Sequence, residues 1–84
     1  MTEVDSQEVY DVLTGIMRKV FKDESLVALP EVSARDVKGW DSLAHIRFVL
    51  EVERGFKVKF LTAEIAKFKN IGELADMVEK KLIH

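Results

Sequence analysis

The sequence contains no cysteine, which excludes disulfide staples, thiolate metal sites and a nucleophilic thiol belonging to the chain itself. Any sulfur chemistry therefore has to arrive on an added group. Proline occurs once and glycine four times, too sparsely for a collagen-like or low-complexity segment, and no internal repeat is present. The longest uninterrupted apolar run is Leu26, Val27, Ala28, Leu29, far short of the roughly 20 residues that cross a bilayer. Glu3, Asp5 and Glu8 stand near the start without a Lys or Arg in the first ten residues, so the positive stretch of a secretory signal is missing and a cytoplasmic protein is expected. A basic excess is missing too. Thirteen Lys and Arg against fifteen Asp and Glu give a net charge of −2, without the surplus that favours nucleic-acid phosphates.

What is present suits a small globule: 84 residues, 48% hydrophobic and 33% charged. This length reads as a single domain over residues 1–84, expected as a monomer, in which a deep enclosed pocket is hard to build beside a sufficient core. A ligand is expected in a groove or on the surface. Charge is unevenly spread, with eight acids and four bases in residues 1–36 and seven acids and nine bases in residues 37–84. The second half is therefore the part suited to an acidic partner surface.

Hydrophobic periodicity organises the chain. Val9, Val12, Leu13, Ile16, Met17, Val20 and Phe21 recur at three- and four-residue steps and predict an amphipathic helix, with Asp5 and Glu8 as a capping pair. Nineteen residues from Lys22 to Trp40 then lack the helical pattern. Leu26, Leu29, Val32 and Val37 are expected to pin this connection over the core. Asp41 and Ser42 open a second helix with a wide apolar face, ended by Gly55. Phe56, Val58 and Phe60 alternate with lysines and read as an extended loop. Thr62 and Glu64 start a short helix, and Asn70 with Glu73 forms a capping box for a last one through Leu74, Ala75, Val78 and Leu82. The expected fold is an all-α bundle of three main helices plus one short helix, with a long loop between helices 1 and 2.

Chemistry concentrates at Gly39, Trp40, Asp41, Ser42 and Leu43, where a turn delivers a hydroxyl to the start of a helix. Free amides and the positive end of the helix dipole favour a negative group there, so a phosphate ester on Ser42 would be stabilised. Simple helix capping by Asp41 or Ser42 is the competing explanation. Leu43 would either anchor the turn or meet a modifying enzyme.

With these residues in view, the sequence resembles the acyl carrier protein family over essentially its whole length. The family's Asp-Ser-Leu attachment turn is matched by Asp41, Ser42 and Leu43, preceded by Trp40 as in its Trp-Asp-Ser-Leu variant. Ile46, Val49, Leu50 and Phe56 match the hydrophobic pattern downstream. The resemblance implies that Ser42 takes 4′-phosphopantetheine from coenzyme A through a phosphopantetheinyl transferase that uses magnesium. The arm would then hold acyl intermediates as thioesters between acyl-loading and acyl-processing enzymes. The chain itself would perform no catalysis. It further implies a cargo cleft between helices two and three, for which Phe48, Val49, Leu50 and Ile65 are candidates, with ordinary core packing the favoured reading of these four, and partner recognition through Trp40, Arg47, Glu51 and Glu53, with packing over the loop the favoured role of Trp40. Ala44 and Arg47 stand where carriers of fatty acid synthesis commonly place acids, which favours a dedicated partner set.

Other readings compete. A peptidyl or aminoacyl carrier of the same fold and an unmodified interaction module share the pattern. His45, three residues after Ser42, suggests a serine hydrolase but lacks an evident cleft and oxyanion site, and reads as a surface histidine. A nucleic-acid module using Arg35, Lys38, Arg47, Arg54, Lys57 and Lys59 has its bases offset by acids. No metal site is evident, since His45 and His84 are far apart in sequence and no calcium-loop motif occurs.

Overall fold

A computed structural model of the protein describes residues 6–83, with the side chains of 6–82. Its elements are α1 (Ser6–Phe21), a 3-10 turn (Ala34–Asp36), α2 (Ser42–Phe56), α3 (Thr62–Lys67) and α4 (Ile71–Ile83). The all-α bundle and its long first connection are as expected, and no strand occurs among the described residues. None of their helices is long and apolar enough to cross a membrane. The Asp5 cap lies outside the described residues.

The core forms where the helical stripes converge. Val9, Leu13 and Met17 of α1, Phe48, Val49 and Val52 of α2, and Ile71, Leu74, Ala75 and Val78 of α4 are buried together, joined by Phe68. Complete burial of a side chain such as Leu13 or Phe48 contributes roughly 1.5–3 kcal/mol relative to exposure. Val12, although in the periodic stripe, sits at its margin and is exposed.

The connection after α1 is tied down rather than loose. Buried Ala28 and Val37 anchor it, with Leu26 and Val32 packed against the core. Leu29, expected as an anchor, instead faces solvent, because neighbouring residues in an extended segment point to opposite sides. Hydrogen bonds do the rest: the Ala28 amide donates to Thr14 Oγ1 at 2.9 Å and Arg18 Nε donates to the Leu26 carbonyl at 2.7 Å. The amides of Ile71 and Gly72 donate to the carbonyls of Val32 and Pro30 at 2.8 and 3.0 Å. Two donors at the start of α4 that no helical turn can satisfy are thus satisfied by the loop.

Two expectations at the helix ends are corrected. Gly55 does not end α2, which runs on to Phe56 and terminates at Lys57, a left-handed residue at φ 58° whose amide donates to the Glu53 carbonyl. Phe56 is therefore helical, not part of the extended segment. The glycine serves packing instead. A Cβ at Gly55 would stand 3.2 Å from Ile16 Cδ1, so its absence lets α1 and α2 approach. The Asn70–Glu73 box forms, in a shifted version: Asn70 Oδ1 accepts the Glu73 amide at 2.9 Å, while the Glu73 carboxylate accepts the amide of Lys69, one residue earlier, at 2.8 Å.

Candidate functional site

The turn that begins α2 is built residue by residue. Gly39 adopts φ +87°, a region that side chains disfavour, and the Trp40 amide donates back to the Val37 carbonyl at 3.3 Å. Asp41 then takes an extended conformation and caps the helix, its Oδ1 accepting the Ala44 amide at 2.9 Å. The Asp41 carbonyl accepts the His45 amide at 2.9 Å. Capping is thus the work of Asp41. Ser42, the first helical residue, is exposed, and its hydroxyl has no hydrogen-bond partner among the described residues. The site is therefore an unengaged hydroxyl at the positive end of a 15-residue helix, where a negative substituent is favoured. Leu43 projects into solvent at 62% exposure and does not anchor the turn.

Beside Ser42 runs an open groove of about 640 Å³ between the start of α2 and α3, lined by Trp40, Ser42, His45, Ile46, Ile65 and Ala66 among others. Its floor is a polar link flanked by rings. Trp40 Nε1 donates to His45 Nδ1 at 3.1 Å, and His45 Nε2 lies 3.1 Å from the Ile65 carbonyl. Indole is only a donor, so Nδ1 must be the acceptor and Nε2 carries the proton, donating to Ile65. The imidazole stacks on Phe68 at 5.1 Å. Trp40 packs 5.1 Å from Phe21 and 5.2 Å from Phe48. His45 is consequently half-buried and structural, not a surface residue as expected. Both its nitrogens are engaged elsewhere, which leaves no base for Ser42, and the hydrolase arrangement is not formed.

The remaining site residues divide. Arg47 is exposed. Glu51 sits between Lys19 at 3.4 Å and Arg54 at 3.3 Å, and Glu53 Oε2 accepts the Phe60 amide at 2.8 Å. Of the four residues weighed between core packing and a cargo cleft, Phe48 and Val49 belong to the core and Ile65 packs against it, as core packing predicts; Leu50 instead lines a surface with Arg54 and Lys57, and Ile65 alone of the four also lines the groove. A helix turns 100° per residue, so positions 48, 49 and 50 point three ways. The His45 link had no sequence signal beyond a polar residue inside an apolar stretch, because its carbonyl acceptor lies twenty residues on.

At α3 the Glu64 carboxylate accepts the Leu61 amide at 2.8 Å and pairs with Lys81 at 3.0 Å. The amide, and then the ammonium, hold its pKa below the ordinary carboxylate value. These contacts tie α3 to two neighbours, to α4 through Lys81 and to α2 through His45, which holds the carbonyl of Ile65.

Comparison with known proteins places this architecture. No family model matches the chain. The acyl carrier protein of Thermotoga maritima is 32% identical over 77 residues, spanning 90% of this chain and 94% of that protein. A solution NMR structure of the holo acyl carrier protein from Geobacter metallireducens superposes with a TM-score of 0.82 at 47% identity, over 88% of this chain and 85% of that one. The four-helix order of this chain is thus the fold of a carrier domain. The chain belongs to the acyl carrier protein family.

Proposed function

We propose that the chain is a carrier in which Ser42 is the attachment point of a 4′-phosphopantetheine arm, within a recognition turn formed by Asp41 and Leu43. One observation supports this most: Asp41 performs the capping, so the Ser42 hydroxyl stays exposed and unbonded at the helix start. The residues present fit such a group. The amides of Ser42 and Leu43 have no backbone acceptor, so both are left available to a negative group at the helix start, such as a phosphate ester on Oγ. The groove along Trp40, His45, Ile46 and Ile65 offers a bed next to the attachment atom.

When bound, the arm supplies the thiol that the chain lacks and on which an acyl group rides as a thioester. Every other part of the task is positional. Gly39 and Asp41 present the hydroxyl, α2 stabilises negative charge beside it, and Trp40 with His45 keeps α3 alongside. With no other thiol in the chain, no side chain competes for the cargo. The single domain over residues 1–84 is read as a monomeric shuttle in the cytoplasm, serving enzymes of fatty acid, polyketide or other specialised biosynthesis, and not as a catalyst. Incubation with coenzyme A, magnesium and a broad-range phosphopantetheinyl transferase is expected to raise the intact mass of the protein by one arm. A chain that stays unmodified under conditions where a known carrier is converted would contradict the reading.

A further inference from the structure

His45 is a titratable side chain that bridges the serine turn to α3. Its Nδ1 accepts the Trp40 indole at 3.1 Å, its Nε2–H donates to the Ile65 carbonyl at 3.1 Å, and its ring stacks at 5.1 Å on Phe68, the residue that ends α3. This arrangement holds only for the neutral imidazole with its proton on Nε2. Histidine is the side chain whose charge ordinarily changes between about pH 5 and 8. A further proton has one place to go, Nδ1, where it opposes the indole N–H, and a donor cannot accept from a donor.

The two sides of the bridge respond in opposite directions. Toward α3 the charged ring is held more firmly: Nε2–H becomes a charge-assisted donor to Ile65, and the Phe68 face attracts a cation. The Ile65 carbonyl is also among the last four of a six-residue helix, which no further helical turn satisfies. Toward Trp40 the bond is lost, and no carboxylate compensates. Among the described residues no ion pair reaches His45. Asp41, the charged residue that lines the groove with it, is directed to the Ala44 amide, and Arg47 of α2 lies on another surface with Lys22 and Lys38. On α3, Glu64 is taken up by the Leu61 amide and Lys81, while Lys67, like Lys69 beyond Phe68, has the sign of the protonated ring. The 3-10 turn, whose Ala34 lines the groove, adds Arg35, of the same sign, and Asp36, engaged by Ser33.

We propose that His45 is a pH-operated switch in the wall of the groove: the neutral ring ties the serine turn to α3 through Trp40, and a proton on Nδ1 releases Trp40 while α3 keeps its hold. The freed indole stays packed on Phe21 and Phe48 and turns its N–H to water in the open groove. What then holds the turn is local: the Trp40 amide on the Val37 carbonyl at 3.3 Å and the Asp41 amide on the Gly39 carbonyl at 3.0 Å. Acidification therefore loosens the segment that presents Ser42 together with the mouth of the groove beside it. His45 acts on Ser42 only through Trp40 and is a positioning residue. That the groove serves an arm on Ser42 rests on the carrier reading above; the switch itself does not.

The test follows the isotope-labelled chain by NMR from about pH 8 to about pH 5. At the alkaline end the His45 nitrogens should report the Nε2–H tautomer. As His45 takes up its proton, the Trp40 indole N–H is expected to lose roughly five- to tenfold in protection from exchange. The amides of Gly39, Asp41 and Ser42 should shift along the same titration curve, with the bond to Ile65 retained. His45→Gln keeps one acceptor and one donor in a side chain that takes no charge, so it should preserve the alkaline spectrum of Trp40 and lose the response. Trp40→Phe should leave His45 titrating and the Ser42 amide unmoved. Unshifted methyls of Leu13 and Val52 show in each case that the core is intact. A protonated His45 beside an undisturbed indole, a response that persists in His45→Gln, or release of Ile65 ahead of Trp40 overturns the proposal. So does a ring that stays neutral until the core itself unfolds. Unmodified Ser42→Ala is expected to respond as wild type does, so a failure of the carrier reading leaves this result standing, and a failure here leaves modification at Ser42 untouched.

Discussion

Asp41 and Ser42 are adjacent, polar and similar in size, yet the helix uses them differently. The Asp41 carboxylate accepts the Ala44 amide, and replacing it with alanine should cost about 1 kcal/mol, lowering Tm by several degrees in a domain of this size; Asp41→Asn should retain most of that stability. Thermal melts followed by circular dichroism check both. Ser42→Ala, which breaks no hydrogen bond, should melt close to wild type. His45 is the opposite case: His45→Ala removes the acceptor of the Trp40 indole and the donor to Ile65. Urea unfolding should show a loss of about 1–3 kcal/mol, with Trp40 fluorescence altered in the folded state. The serine turn was legible in the sequence because its residues are contiguous and each has a local backbone task. His45 was not, since its role depends on an indole and a carbonyl brought together only by the fold.

Among the elements, α2 carries the most consequence, as it supplies core, the exposed Ser42 hydroxyl and an outer apolar face at once. Its end shows why helix boundaries are hard to read. A glycine after an apolar stretch resembles a stop signal, but Gly55 is kept small by α1, whose Ile16 would meet any side chain there. Gly55→Val is therefore expected to destabilise the fold by about 1–3 kcal/mol through overpacking. Lys57 actually ends the helix at φ 58°, where a side chain costs about 1 kcal/mol or more. Lys57→Gly should accordingly raise the urea midpoint modestly, a result that a terminus at Gly55 would not produce. The existence and order of the four helices followed from periodicity, which the core enforces. The division of α2 into buried Phe48 and Val49 and exposed Leu50 did not, because a helix apolar on several sides does not say which side meets its neighbours.

For the whole molecule, acid and alkali should act on different groups. The Glu64 carboxylate, held below its ordinary pKa by the Leu61 amide and Lys81, and Asp23, held low by the hydroxyl and amide of Ser25, contribute stability that is present above their unfolded values. That stability is lost as pH falls through the lowered ones. Tyr10 is raised above 10.0 by burial, then by Asp76, Glu79 and Glu31; its contribution is complete below the unfolded value and is lost as pH rises through the folded one. A plot of Tm against pH should show a plateau through neutrality with a fall on each side, and Glu64→Gln should blunt the acid limb. The charge asymmetry was legible as a count of acids and bases along the chain, whereas the internal commitment of Glu51 and Glu53 required coordinates. The most direct test of the central claim is peptide-level mass spectrometry after treatment with coenzyme A, magnesium and a phosphopantetheinyl transferase. The account predicts one added arm, confined to the fragment containing Ser42 and absent from a folded Ser42→Ala chain; an arm on another residue, or none on a wild-type chain treated beside a carrier that is converted, would contradict it.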